Sequence, residues 1–230
     1  MIDLNKYSKV QIATAVAILF HMIGLMGIVY SGKSNFFIST TPVHLILMAS
    51  LAIYTQHKIN QNFLLGMISC FVLGFLAEWI GVHTGYLFGS YEYGNGFGLK
   101  WMGIPLLIGI NWWMIIYGSG STMELLWRKM LGNAEGLNGN PTLKIISFLI
   151  DGAALATLFD WVMEPVAIRL GYWSWHGLGI PPGFNYLCWF LLSILMLRTI
   201  RKSVEANPNR FAMHLLMIQL TYFSLLRILL

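Results

Sequence analysis

The chain has 230 residues, of which 57% are hydrophobic and 10% charged, with a formal net charge of +5. About a quarter of an ordinary soluble domain is charged, so this composition, with mean hydropathy +0.67, excludes a water-soluble globular domain and points to lipid as the solvent. The positive charge does not indicate nucleic-acid binding, because the basic residues sit in short segments between apolar runs, where they orient a membrane protein.

Seven apolar segments follow one another, at about 10–30, 36–55, 63–82, 104–127, 143–170, 184–197 and 211–230. Each is close to the roughly 20 residues that cross a bilayer as a helix, the sixth being the shortest. Backbone groups in lipid must be paired internally, so the expected fold is all-α: one transmembrane helical domain over residues 1–230, with about seven spans. The first segment follows Lys6 and Lys9, and no small-residue cleavage site follows it, so it reads as a retained helix and not as a signal peptide. The two cysteines, Cys70 and Cys188, lie inside apolar runs, which argues against a disulfide framework, and no metal-type Cys/His spacing is present.

Lysine and arginine set the expected orientation. With the N-terminus inside, one face holds Lys6, Lys9, Lys58, Arg128, Lys129, Lys144, Arg198, Arg201, Lys202 and Arg210, and the other only Lys33, Lys100, Arg169 and Arg227. This bias places the N-terminus in the cytoplasm and the C-terminus outside. The inner connections, such as QHKINQN and RKSVEANPN, are polar and turn-rich. Two outer connections, HTGYLFGSYEYGNGFGLKWMG and GYWSWHGLGIPPG, are instead dense in glycine and aromatic rings. An interfacial aromatic belt accounts for some of the rings, but not for the carboxylates and histidines beside them.

These two outer hairpins echo one another. Glu78 precedes Gly85-Tyr86 by the same interval that separates Glu164 from Gly171-Tyr172; Gly103-Ile104-Pro105 and Asn111-Trp112 answer to Gly179-Ile180-Pro181 and to Asn185 and Trp189. The pattern reads as a degenerate helix-hairpin repeat with its axis along the bilayer normal, chance being the alternative. It makes Glu78 and Glu164 equivalent, each about two turns before its Gly-Tyr.

Ionisable groups inside a membrane are costly and are functional suspects by default. The short set is Glu78, Asp151, Asp160 and Glu164, with His21 and His44. Asp160 and Glu164 are four residues apart and share a helix face, about 40° from one another; Asp151 is out of phase and suits a structural pairing, and His21 suits a hydrogen-bonded core position. Pro165 is placed to distort this helix. On the expected topology the carboxyls of Glu78, Asp160 and Glu164 gather in the outer half of the membrane. With them come Asn111, Asn185, His44, His83 and His176 as groups able to position water, and Tyr86, Tyr93, Trp112, Trp161, Tyr172, Trp173 and Trp175 as aromatic walls. Carboxyl groups crowded in an apolar setting with little positive charge favour the neutral acid, which can donate a proton. Aromatic faces stabilise cations. Acid and aromatic walls together suit protonation of an alkene, whose intermediate is a carbocation, and a long hydrocarbon suits the setting.

At these residues the chain resembles the membrane carotenoid hydratases, the family of bisanhydrobacterioruberin hydratase and γ-carotene 1′,2′-hydratase. The resemblance covers residues 74–189, about half the chain. It is carried by EWIGVHTGYLFGSYEYG, GIPLLIGINWW, DGAALATLFDWVMEPVAIRLGYWSW and GIPPGFNYLCW in that order. It implies addition of water across the terminal isopropylidene double bond of an acyclic ψ-end carotenoid, giving a tertiary alcohol. It further implies no redox or metal cofactor, a lipophilic carotenoid and membrane lipid as partners with the oligomeric state open, and a multi-pass protein of a prokaryotic inner membrane. The residues themselves suggest Glu164 or Asp160 as the acid and Glu78 as the base that positions water. A lycopene-cyclase-type enzyme, which protonates the same kind of end group and lets an internal alkene capture the cation, is the nearest rival. Asp160-x-x-x-Glu164 suits a prenyltransferase less well, because the Lys/Arg clamps for a diphosphate are missing. A retinal protein would need a lysine in the last segment, which has only Arg227; a carotenoid-binding scaffold is the remaining non-enzyme reading.

Overall fold

The computed structural model describes residues 7–131, 141–177 and 179–230; Lys6 and most of the connection before the fifth expected span lie outside them. Eight helices follow in order: α1 (Lys9–Tyr30), α2 (Ser34–Ser39), α3 (Thr41–Tyr54), α4 (Gln61–Thr84), α5 (Ile108–Leu131), α6 (Pro141–Arg169), α7 (Gly183–Ala206) and α8 (Arg210–Leu229). Four short strands, β1 (Tyr91–Tyr93), β2 (Lys100–Trp101), β3 (Ile104–Pro105) and β4 (Trp173–Trp175), lie in the two outer connections. The protein is an all-α membrane protein. Helices α1, α4, α6, α7 and α8 are long and apolar enough to cross a bilayer.

The other two expected spans differ for physical reasons. The second segment breaks at Thr40, where the short α2 ends and Pro42 opens α3, leaving a 14-residue apolar helix. Helix α5 is long but less apolar, because its surroundings are protein: it is buried continuously from Asn111 to Thr122. Its run Gly118-Ser119-Gly120-Ser121 allows close approach. A Cβ on Gly118 would lie 3.1 Å from the Ala212 carbonyl, and one on Gly120 would lie 3.2 Å from Leu197 and Phe148. Small residues serve helix association in membranes in this way.

Helix ends are set by local chemistry. Ser8 and Gln11 close a capping box on α1; Asn60 and Asn209 accept the first free N–H groups of α4 and α8. Gly85 ends α4 in the left-handed region at φ 67°, and Gly171 follows α6 at φ 70°, so the glycines of the two Gly-Tyr pairs do the same backbone work. Pro165 does not break α6. The carbonyl of Trp161, which Pro165 cannot serve, accepts from Arg227 Nη1 of α8 at 3.3 Å.

The two outer connections meet as strands. β1 pairs antiparallel with β4 in the register Tyr91 with Trp175, Glu92 with Ser174 and Tyr93 with Trp173. Period-two alternation buries the four aromatic residues and exposes Glu92 and Ser174. Just beyond β1 the chains touch: Gly94 N–H donates to the Tyr172 carbonyl at 2.8 Å, and a Cβ at Gly94 would lie 2.0 Å from the Gly171 carbonyl oxygen. Gly94→Ala is therefore expected to separate the strands and lower stability by about 1–3 kcal/mol. Thermal unfolding in detergent, compared with Gly96→Ala, whose obstacle is the Tyr172 side chain, checks this; an unchanged Gly94→Ala midpoint contradicts it.

Candidate functional site

Beneath the β1–β4 pair, α4 and α6 bring Glu78, Asp160 and Glu164 to one small cavity of about 30 Å³. All three are almost fully buried, at 5%, 1% and 2% exposure. Each glutamate is held by its own hairpin. Glu78 Oε2 accepts from the Tyr91 hydroxyl and from the Tyr93 hydroxyl at 2.7 Å, and Oε1 accepts from Trp112 Nε1 at 2.8 Å. Glu164 Oε1 accepts from Trp173 Nε1 at 2.7 Å and from Trp175 Nε1. The inward residues of each strand thus ligate the carboxyl of the helix that precedes it. Burial, and then the neighbouring Glu78, hold the Tyr91 and Tyr93 phenols well above their ordinary range, so both remain protonated donors.

The hairpin correspondence fails at one place. Four residues before Glu78 stands Gly74, and four before Glu164 stands Asp160. A Cβ on Gly74 would lie 2.7 Å from the Trp112 side chain, so glycine there lets Trp112 reach Glu78 and stack on Trp189, with ring centroids 3.8 Å apart. Asp160 is the added carboxyl. Its Oδ2 accepts from Asn185 Nδ2 at 3.0 Å, whereas Oδ1 is buried with no hydrogen-bond partner among the described residues. Such a group costs on the order of 1–3 kcal/mol and calls for an explanation.

A larger cavity of about 390 Å³ adjoins this chamber. It lies among α1, α2, α3, α6 and α8, and Asn111, Met163 and Trp173 border both spaces. Most of its lining is apolar, with Phe36, Phe37 and Val43 on the α2–α3 side and Phe159 and Phe223 opposite. Phe36 and Val43 are themselves largely exposed. The cavity is thus an apolar recess that shares a wall with the carboxyl chamber.

The residues expected from the sequence divide accordingly. Glu78, Asp160, Glu164, Tyr93, Trp112, Trp173, Trp175, Asn111 and Asn185 line the chamber. His44 and Tyr172 line the larger cavity instead, where Tyr172 and Thr41 join hydroxyls at 2.5 Å. Four expected residues reach neither space. Tyr86 is 81% exposed just past the glycine that ends α4. Trp161 points outward under Arg227, whose guanidinium lies 4.5 Å from its ring centroid. His83 is exposed and bonded through Nδ1 to the Trp79 carbonyl, because five helical residues after Glu78 is about 140° around the helix. His176 is exposed beside Ser90, on the outward phase after Trp175. Asp151 bonds Ser147 one turn earlier in α6. Tyr91, Phe88, Ile108, Met163 and Trp189 complete the chamber. Tyr91 was legible in principle, since YEY and WSW share an aromatic–polar–aromatic pattern after each Gly-Tyr. Among the described residues no cluster of His, Cys, Asp or Glu has a metal-binding arrangement.

A family model described as carotenoid biosynthesis protein matches residues 40–230. No curated protein and no solved structure gave a match.

Removing one donor from Glu78 leaves a buried carboxyl oxygen short of a partner, so Tyr93→Phe is expected to destabilise the protein by about 1–3 kcal/mol. Chemical or thermal unfolding in detergent measures it. A Tyr93→Phe protein as stable as the wild type would show that the phenol does not serve the carboxylate.

Proposed function

The chain belongs to the carotenoid biosynthesis protein family, and on that premise we propose that it is a carotenoid hydratase, adding water to the terminal isopropylidene double bond of an acyclic polyene. The observation that carries this reading is the asymmetry of the three carboxyls in a ring-lined chamber that borders a larger apolar cavity. A polyene lying in the larger cavity would bring one end to Met163, a flexible side chain whose displacement would enlarge the chamber of about 30 Å³ to admit it.

Roles follow from the hydrogen bonds. Asp160, with one oxygen unpartnered among the described residues, is the acid, and its proton goes to the less substituted alkene carbon. The positive charge develops on the tertiary carbon, between the faces of the chamber's indole and phenol rings. Glu164 carries both indole N–H bonds on Oε1, which leaves Oε2 to hold the attacking water and accept its proton. The carbon–oxygen bond forms as that proton leaves, and a proton shift from Glu164 to Asp160, one helical turn away, restores the starting state. Glu78, with both oxygens engaged by three donors, fastens the β1–β4 cover over the site. This support favours Glu164 over Glu78 as the base, a different division from the one the sequence alone suggested. Asn111 and Asn185 supply amides for water. The same reading sets the chamber in the outer leaflet of a prokaryotic inner membrane. The end of the bundle opposite it carries Lys58, Arg128, Lys144, Arg201 and Arg210, an arrangement that supports a cytoplasmic N-terminus.

Expression in cells that accumulate lycopene tests the reaction. The expected product has gained one water; an isomer of unchanged mass would instead assign cyclisation, and unaltered pigment would remove the reading. Asp160→Asn should lower the rate by about 10²–10⁴-fold with the protein still folded. Full activity in Asp160→Asn would exclude it as the acid.

A further inference from the structure

The larger cavity has a polar patch of its own that the proposed acid–base roles do not use. His21 of α1, His44 of α3 and Gln219 of α8 all line it. His21 Nδ1 bonds the Ala17 carbonyl at 2.7 Å; a carbonyl only accepts, so this nitrogen is the donor and Nε2 is left to bond elsewhere. The His44 ring meets His21 edge to face, with centroids 4.6 Å apart, and Tyr222 packs on His21 from the other side at 5.3 Å. Gln219 is 94% buried by its 6% exposure, and among the described residues no hydrogen bond reaches its amide. A buried amide facing an apolar cavity inside a membrane protein costs a few kcal/mol without a partner.

Depth relates this patch to the chamber. His21, Gln219 and Asp160 each lie about 13–15 Å in from the outer ends of α1, α8 and α6, at 1.5 Å per residue. Asn111, whose buried side chain borders both spaces, stands between them, and its amide makes no hydrogen bond among the described residues. The chamber itself, at about 30 Å³, has room for about two waters.

From this placement we infer that His21, His44 and Gln219 form a second water site, which supplies the attacking water to the carboxyl chamber by way of Asn111. The inference rests on the hydratase reading for its purpose but not for its existence. Of the other polar side chains that line the recess, Thr40 donates to the Phe37 carbonyl and Thr41 bonds the Tyr172 hydroxyl. His21 Nε2 accepts from a water, the Gln219 amide both donates and accepts, and His44 completes a site with the two to four polar partners that a buried water needs. These are positioning residues for water; none touches the reacting carbons.

Two measurements test it, each on the full-length protein in lipid nanodiscs. A high-resolution experimental structure should show ordered water within hydrogen-bond distance of Gln219 and His21, lost in Gln219→Leu; a dry patch in the wild type overturns the inference whatever the reaction proves to be. The second follows lycopene in D₂O. The cation has two fates: capture by water, which gives the alcohol, or loss of a proton, which returns an unhydrated alkene carrying deuterium. In Gln219→Leu and in His44→Leu the ratio of deuterated unhydrated alkene to alcohol should rise severalfold over wild type. A merely structural role would lower both together, and an unchanged ratio in the two variants overturns the supply role. Should the wild type neither hydrate nor exchange deuterium, the hydratase reading fails, while the water structure still decides whether the site exists.

Discussion

Gathering three carboxyl groups within one end of an apolar bundle is costly unless their oxygens find donors, and lipid provides none. The end of the bundle that holds β1 and β4 is organised around that constraint. Tyr91, Tyr93 and Trp112 serve Glu78, and Trp173 and Trp175 serve Glu164. These donors are aromatic, so the same side chains that satisfy the carboxylates also supply apolar walls. They also require the two outer hairpins to meet, because the tyrosines and tryptophans reach inward only when β1 and β4 pair in register. The strands, the left-handed glycines at Gly85 and Gly171 and the absence of a side chain at Gly94 all serve this closure.

On the proposed reading, the departure from symmetry carries the chemistry. Two hairpins of like construction would place two well-bonded glutamates in a sealed pocket. Gly74 and Asp160, at corresponding positions, make the halves unequal: one lets Trp112 fill the space, and the other inserts a third carboxyl with an open oxygen. Protonation of an alkene needs such a group, an acid not already committed to neighbouring donors. On that reading the larger cavity, which meets the chamber at Met163, would hold a long apolar molecule beside it.

Much of this architecture was legible in the sequence, and its limits have physical reasons. Hydropathy located the long helices, because length and apolarity are what lipid selects, but ran α2 and α3 together across the break at Thr40. It overstated α5 as a lipid-facing span, since a helix wrapped by protein is free to be polar and small. The shared Glu-to-Gly-Tyr interval brought Glu78 and Glu164 together correctly, because spacing within one helix and its cap is local. Adjacency in sequence was a poorer guide. Trp161 follows Asp160 but turns 100° away from it, and His176 follows Trp175 but takes the other side of the strand. YEY echoes WSW locally, but that Tyr91 faces the carboxyls is fixed by a pairing across about 80 residues. The larger cavity was invisible, being formed by helices far apart in the chain.

The central claim is that Asp160 sits in the chamber as the carboxylic acid that supplies the proton, in distinction from the two glutamates, whose oxygens are furnished with donors. Infrared spectroscopy of the carboxylic C=O stretch, on protein in lipid at neutral pH with site-specific amide variants, tests it most directly. The account predicts a protonated-carboxyl band that disappears in Asp160→Asn and survives in Glu78→Gln. A band that vanishes with Glu78→Gln and persists without Asp160, or no such band at all, would contradict it.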